Sequence, residues 1–188
     1  MKNDSAYYLN EDVIFIAKDL IGNEILTKIN GKVTAGIITE TEAYNGIIDK
    51  ASHSYGGKRT ARNEVMYQKG GIIYVYLCYG IHFLLNIVTG PKDDPKAVLI
   101  RAIEPTKGLD TMLKRRKKSN FKKNDHIGPG KVTKSLGINL SHNQLKVNCE
   151  SIWLKENKIQ SDQIKADKRI GIDYAQEDAL LPYRFILS

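Results

Sequence analysis

Glu40, Glu42 and Tyr44 occupy alternate positions of one β-rich run, so a strand points all three to one side and Thr39 and Thr41 to the other. A carboxylate stripe of this kind has two readings. It is a solvated polar face, or it borders a dry pocket, where a carboxylate can hold a water and take its proton. Ile37 and Ile38 read as buried beside it, and the run leads directly into a loop rich in Gly, Ser, Asn and charge. Strand ends that enter loops are common places for chemistry. His53 lies in that loop, within Ala51-Ser52-His53-Ser54. A lone histidine is ordinarily a hydrogen-bonding surface group. With Glu40, Glu42 and Asp49 it would make an oxygen-rich metal set, although no His or Cys stands at ligand spacing from it.

Four aromatics, Tyr74, Tyr76, Tyr79 and Phe83, crowd into one short segment. Tyr74 and Tyr76 share a strand face and read as a core cluster or a cross-strand pair. Tyr79 precedes Gly80 at a turn, where a ring projects outwards; it is either a core residue or a wedge between base pairs. Lys58, Arg59 and Arg62 flank the same loop as His53, and either contact phosphate or are simply solvated. Gly128-Pro129-Gly130-Lys131 lacks the GxxxxGK[ST] pattern of a phosphate loop. It reads as a tight turn into a helix N-terminus, which can hold one backbone phosphate.

The elements that must position these residues follow from periodicity and turn chemistry. Val13, Ile16, Ala17 and Leu20 repeat at helical spacing, with Asn10 as N-cap and Gly22 at the end. Strands are predicted over Glu24–Ile29 and Lys32–Tyr44, joined by Asn30-Gly31, a pair that tolerates positive φ. Residues 45–63 read as loop, Arg62–Gln68 as a short helix, and Ile72–Tyr79 and Phe83–Val88 as a hairpin about Gly80. After a Pro91–Pro95 turn comes a strand over Ala97–Ile103, then a helix from Thr106. That helix runs into Lys114-Arg115-Arg116-Lys117-Lys118 and Lys122-Lys123, expected to be a mobile, solvated loop. A short helix starts near Gly128, and strands recur near Ile152–Leu154 and Arg184–Leu187. Without an internal repeat or linker, the chain reads as one α+β domain over residues 1–188: antiparallel strands with peripheral helices.

The chain has 188 residues, 41% hydrophobic and 27% charged, enough for a core. Its 29 Lys and Arg exceed its 21 Asp and Glu, a net charge of +8 that favours phosphate-rich partners or anionic membranes. The N-terminal residues lack the apolar run of a signal peptide, and no stretch approaches the roughly 20 apolar residues of a membrane span. Cys78 and Cys149 stand far apart and read as free thiols. The expectation from these features is a cytoplasmic protein with no membrane partner.

Several segments together resemble the 3-methyladenine (alkyladenine) DNA glycosylases, base-excision enzymes of bacteria and mammals. They are Glu40-Thr41-Glu42-Ala43-Tyr44, Ala51-Ser52-His53-Ser54, Thr60-Ala61-Arg62-Asn63, Gly71 through Tyr79-Gly80, Asn86-Ile87, Leu99-Ile100-Arg101-Ala102-Ile103-Glu104-Pro105 and Gly128-Pro129-Gly130-Lys131. They run in family order over nearly the whole chain. The resemblance implies a single α+β domain with a curved antiparallel sheet and a protruding hairpin. It implies that Glu42 activates water, with Arg101 beside the water and sugar. Tyr44, His53 and Tyr76 would line the pocket and stack on an extruded base, and Asn86 would screen the purine edge. Tyr79 would fill the vacated stack; Lys58, Arg59, Arg62 and Lys131 would be phosphate contacts. The implied partner is double-stranded DNA with damaged purines, bound by a monomer without metal or organic cofactor. Tyr55, Lys58, Ala61, a longer turn after Asn86 and the basic run at 114–123 depart from the pattern and bear on substrate range and affinity. Two other classes stay open on the residues alone: a non-enzymatic DNA-binding module using Tyr79 and the basic run, and a metal-dependent nuclease built on Glu40, Glu42, Asp49 and His53.

Overall fold

The computed structural model describes residues 6–122, 125–157 and 163–188. One antiparallel sheet dominates. β1 (Glu24–Ile29) and β2 (Lys32–Tyr44) form a hairpin about Asn30 and Gly31, both at positive φ as their types allow. β3 (Ile73–Cys78), β4 (His82–Thr89) and β5 (Lys96–Lys107) follow, and β6 (Ile152–Lys155) completes the order β3-β4-β5-β2-β1-β6. β7 (Ile164–Asp167) pairs with β8 (Arg184–Leu187), and β8 in turn pairs with β2. β2 is the spine. β5 pairs along most of it, while its other edge is shared between β1 at residues 32–37 and β8 at residues 40–42. The register shifts between Ile38 and Glu40 and again between Glu40 and Thr41, where the partner changes.

The two faces of this sheet have different fates. On one, Ala43, Ile73, Val75, Leu85, Ile87, Val98 and Ile100 form the main core with α1 (Val13–Leu20) and α3 (Pro129–Leu136). Thr41 belongs to this face and donates from its hydroxyl to the Ala17 carbonyl of α1 at 2.8 Å. On the other face, register places Tyr74, Asn86, Leu99 and Glu42 in one row across β3, β4, β5 and β2. Directly paired residues share a face, so this row is fixed by strand pairing alone. The helices leave this second face uncovered. It is closed at one end by Val65 and Met66 against Tyr74, Val88 and Ala97, and at another by Ala51, Ile172 and Ala175.

Several expectations need correcting. The N-cap of α1 is Asp12, whose carboxylate accepts from the Phe15 amide at 2.9 Å; Asn10 instead accepts from the Asp12 amide. The predicted helix over 62–68 is a 3-10 turn, Glu64–Tyr67, and residues 45–63 contain two further such turns. β5 continues to Lys107, because Gly36, Ala35 and Ile37 of β2 keep pairing with it, and the next helix, α2 (Leu109–Arg116), begins only after it. The basic run is not a free loop. Lys114, Arg115 and Arg116 form the last turn of α2. Arg115 donates to the Thr34 hydroxyl and the Ser135 carbonyl, Arg116 donates to the Asp125 carbonyl, and Lys118 pairs with the Asp125 carboxylate. Lys123 lies outside the described residues. Among the described residues no helix is long and apolar enough to cross a membrane.

Thr41→Val keeps the shape at a fully buried site but leaves the Ala17 carbonyl without its side-chain donor. A stability loss of about 1 kcal/mol is expected. Thermal unfolding should show it as a shift of about 2–4 °C, and an unchanged midpoint would show the bond to be dispensable.

Candidate active site

The uncovered face of the sheet forms the floor of a cleft of about 580 Å³. Glu42, Tyr44, His53, Tyr76, Asn86, Arg101, Arg62, Tyr79 and Lys131 all line it, so nine residues singled out in the sequence converge on one cavity. Lys58 and Arg59 do not line it.

Glu42 is the centre. Only 1% of it is exposed. Its Oε1 accepts from Arg101 Nε at 3.0 Å and from the Ile170 amide at 3.0 Å; its Oε2 accepts from the Tyr44 hydroxyl at 2.9 Å. A carboxylate offers about four acceptor positions. Three are taken, and the remaining one is on Oε2, in a residue that borders the cleft. Arg101 also lies 3.6 Å from Glu40, and Glu40 accepts from Arg184 at 2.8 Å. The stripe read from periodicity is therefore a buried ion network rather than a solvated face. Buried charges of this kind persist only when paired and hydrogen-bonded.

The aromatic wall is equally ordered. Tyr74 and Tyr76 stack with ring centroids 5.3 Å apart, and His53 meets Tyr76 edge-on at 4.6 Å. His53 Nδ1 is 2.9 Å from the Tyr74 hydroxyl. Burial, helped by the positive charges of Arg62 and Lys58, lowers the His53 pKa to about 4, so the imidazole is neutral near pH 7. Burial raises the Tyr74 phenol to about 12 and pushes Tyr76 and Tyr44 upwards as well. The wall is thus neutral and aromatic. Asn86 is buried and donates to the Tyr74 carbonyl at 3.3 Å. The Arg62 guanidinium sits 5.2 Å from the Tyr76 ring.

Tyr79 is 87% exposed, at the tip of the β3–β4 hairpin. It adopts φ +49° and Gly80 φ +72°, and the Ile81 amide closes the turn on the Cys78 carbonyl at 3.1 Å. Positive φ is rare for a bulky residue, so the turn holds this ring out of the core at a conformational cost. Of the two readings for Tyr79, core packing is thereby removed. Gly128 caps α3 with Pro129 at its first position, as the turn chemistry implied. Arg59 is occupied by Glu64 at 2.5 Å and Asp93 at 2.9 Å. Glu40, Asp49 and His53 are engaged separately, by Arg101 and Arg184, by Arg169 and by Tyr74.

Sequence reasoning missed the segment from Arg169 onwards. Arg169 is buried and donates to the Ala43 carbonyl and, through both terminal nitrogens, to Asp49 at 2.5 and 2.9 Å. Its guanidinium lies 4.9 Å from the Tyr44 ring. Ile170, Gly171, Ile172 and Tyr174 line the cleft. Nothing local in Arg169-Ile170-Gly171-Ile172 ties it to a glutamate 128 residues earlier.

Because His53 is held below its ordinary value of 6.5, the unfolded chain takes up this proton before the folded one. The stability from a neutral His53 is present above about pH 6.5 and declines as pH falls towards 4. His53→Gln should therefore lose less thermal stability than the parent between pH 7 and pH 5. Parallel loss in both would mean that His53 titrates freely.

Comparison with known proteins shows what the chain is similar to. The methylpurine-DNA glycosylase (MPG) family model matches residues 7–188. A protein of Chlamydia felis (strain Fe/C-56), provisionally named a 3-methyladenine DNA glycosylase, is 49% identical over 186 residues, covering 97% of this chain and 94% of its own. One of Chlamydia pneumoniae with the same provisional name is 49% identical, covering 97% and 93%. Another, from Desulfitobacterium hafniense (strain Y51), is 41% identical over 199 residues, covering 100% and 96%. With the family model spanning nearly the whole chain and relatives this close over more than nine-tenths of their length, the chain belongs to the methylpurine-DNA glycosylase family.

Proposed function

We propose that this protein excises alkylated purines such as 3-methyladenine, or deaminated ones, from duplex DNA by hydrolysing the N-glycosidic bond with a water activated by Glu42. The observation that carries this reading is the hydrogen bonding of Glu42: a buried carboxylate with three fixed donors and one acceptor position left beside a neutral aromatic cleft.

A base within a duplex hides its glycosidic bond, so the nucleotide has to be extruded, at a cost of a few kcal/mol. Tyr79, exposed at a hairpin tip, is suited to occupy the vacated stack. The extruded purine enters between Tyr44, Tyr76 and His53. Alkylation at N3 or N7 gives the purine a positive charge. Aromatic faces attract such a cation by roughly 0.5–2 kcal/mol, and a neutral His53 does not oppose it. Asn86, in the floor beside Leu99 and Tyr74, meets the purine edge.

A cationic purine is already a good leaving group, so the chain has to supply little more than a placed nucleophile. A water bonded to Glu42 Oε2 gives its proton to the carboxylate as its oxygen bonds to C1′ of the sugar, and the bond from C1′ to the purine nitrogen breaks with its electron pair on the base. The sugar carries positive charge in the transition state, which the Glu42 carboxylate offsets at short range. Arg101 keeps Glu42 oriented. No lysine amine attacks C1′ in this scheme, so the product is an abasic site in an unbroken strand. Phosphate contacts fall to Arg62 and Lys131 at the cleft rim and to Lys58; Arg59, neutralised by Glu64 and Asp93, contributes less.

The test is release of free base from duplex DNA containing 7-methylguanine, with and without a chelator, by the parent protein and Glu42→Gln. The parent should release base equally with chelator and leave the strand intact until alkali is added. Glu42→Gln should lose about 10²–10⁴ in rate while binding the same DNA with similar affinity. Retention of most activity by Glu42→Gln would remove Glu42 from the role of base, and chelator-sensitive strand cleavage would replace the reading with a nuclease.

A further inference from the structure

The segment Arg169–Leu180 borders the cleft from the β2 and β8 side, where the Ile170 amide bonds Glu42 and Arg184 donates to the Lys168 carbonyl just before it. It is anchored at many points. Ile172 and Ala175 are buried against Ala51; Lys50 holds Gln176 and Glu177 through its ammonium and the Asp178 carboxylate through its amide. Gln176 adopts φ +55° and ψ −128°, a sparsely populated conformation that persists only where the surroundings impose it. Between these anchors stands Tyr174. It is 67% exposed although both its neighbours in the buried cluster, Ile172 and Ala175, are sealed from solvent. Its hydroxyl donates to the Ala51 carbonyl at 3.1 Å, which orients the ring over the cleft that it lines. Ile170, 51% exposed, adds apolar surface four residues earlier. The backbone that carries Ile170 is the one whose amide holds Glu42.

A large ring held in place, wet on its face and set at the mouth of a cleft has no role in the core. A tyrosine ordered in advance offers contact area at small entropic cost, since it has only two side-chain torsions to fix. We propose that Tyr174 is a binding residue that retains the extruded nucleotide, packing its ring against it from the β2 side while Tyr79 acts on the duplex. This rests on the base-extrusion reading above. It also assigns the two tyrosines different partners. Tyr79 replaces the base in the stack, so its benefit needs a paired duplex; Tyr174 touches the nucleotide after it has left, so its benefit does not. Burial raises the Tyr174 phenol against the positive charge of Arg169, and Tyr79 and Tyr174 line the same cleft.

Single-turnover base release separates the possibilities, with 7-methylguanine either paired in duplex DNA or placed in a bulge. Tyr174→Ala should be slower by about tenfold on both substrates, the size typical of losing one aromatic contact with a base. Tyr79→Ala should be slow on the paired substrate and recover on the bulged one. Tyr174→Phe, which keeps the ring and loses the bond to Ala51, should recover most of the rate. Leu180→Ala, exposed on the same segment and outside the cleft, serves as the control and should match the parent. The proposal is overturned if Tyr174→Ala matches the parent, if its deficit disappears on the bulge, or if Tyr174→Phe is as slow as Tyr174→Ala, which would make the hydroxyl latch the whole effect. A parent protein that releases no base from either substrate would overturn the glycosylase reading itself, and this inference with it.

Discussion

Placing one carboxylate, Glu42, out of water obliges the surrounding structure to answer its charge. An unpaired buried carboxylate would shed its charge by taking a proton, and could not then act as the base proposed for it. Arg101 answers it, Glu40 answers Arg101, and Arg184 of β8 answers Glu40. A parallel pair, Asp49 with Arg169, sits on the other side of Tyr44. Three acids and three guanidiniums thus neutralise one another in a region that the helices leave open. The second half of β2 changes partner from β1 to β8 at this place, so the sheet is split where its two edges must deliver opposite charge.

This arrangement explains how one strand serves two purposes. Alternation along β2 sends Thr41 and Ala43 into the core with α1 and sends Glu42 and Tyr44 into the cleft, with Glu40 paired behind them to Arg101 and Arg184. The main core holds the strand rigid, and the rigid strand holds the carboxylate. Rotating the acid out of line would require breaking the pairing with β5 on one side and β8 on the other. Positioning of this kind, on strands rather than on loops, keeps a reactive group within the small tolerance that catalysis demands.

Much of this was legible in the residues. The period-two spacing of Glu40, Glu42 and Tyr44 gave the shared face, Asn30-Gly31 gave the first hairpin, and Tyr79-Gly80 gave the exposed tip, because each rests on geometry within a few residues. What stayed hidden depends on partners far along the chain. Nothing near Glu42 reveals the Ile170 amide or the Arg184 guanidinium. The basic run misled for the same reason. Charge density argues for solvation, yet Thr34, Ser135 and Asp125 supply acceptors that only the folded chain brings near Arg115, Arg116 and Lys118. The +8 surplus is therefore partly structural, and fewer cations face a polyanion than the count suggests.

The late position of β8 in the chain has a consequence for synthesis. Glu42 is made early, but the amide of Ile170 and the guanidiniums of Arg169 and Arg184 emerge from the ribosome more than 120 residues afterwards. Until then the edge of β2 at residues 40–42 has no partner and its carboxylates have only Arg101. A nascent chain can fold its first hairpin and pack α1 against it, since those contacts are local, and still lack a formed centre. The ion network around Glu42 is complete only when the last two strands have docked, so a ribosome-tethered chain that has not yet delivered them lacks the Ile170 amide and the Arg184 guanidinium that close it.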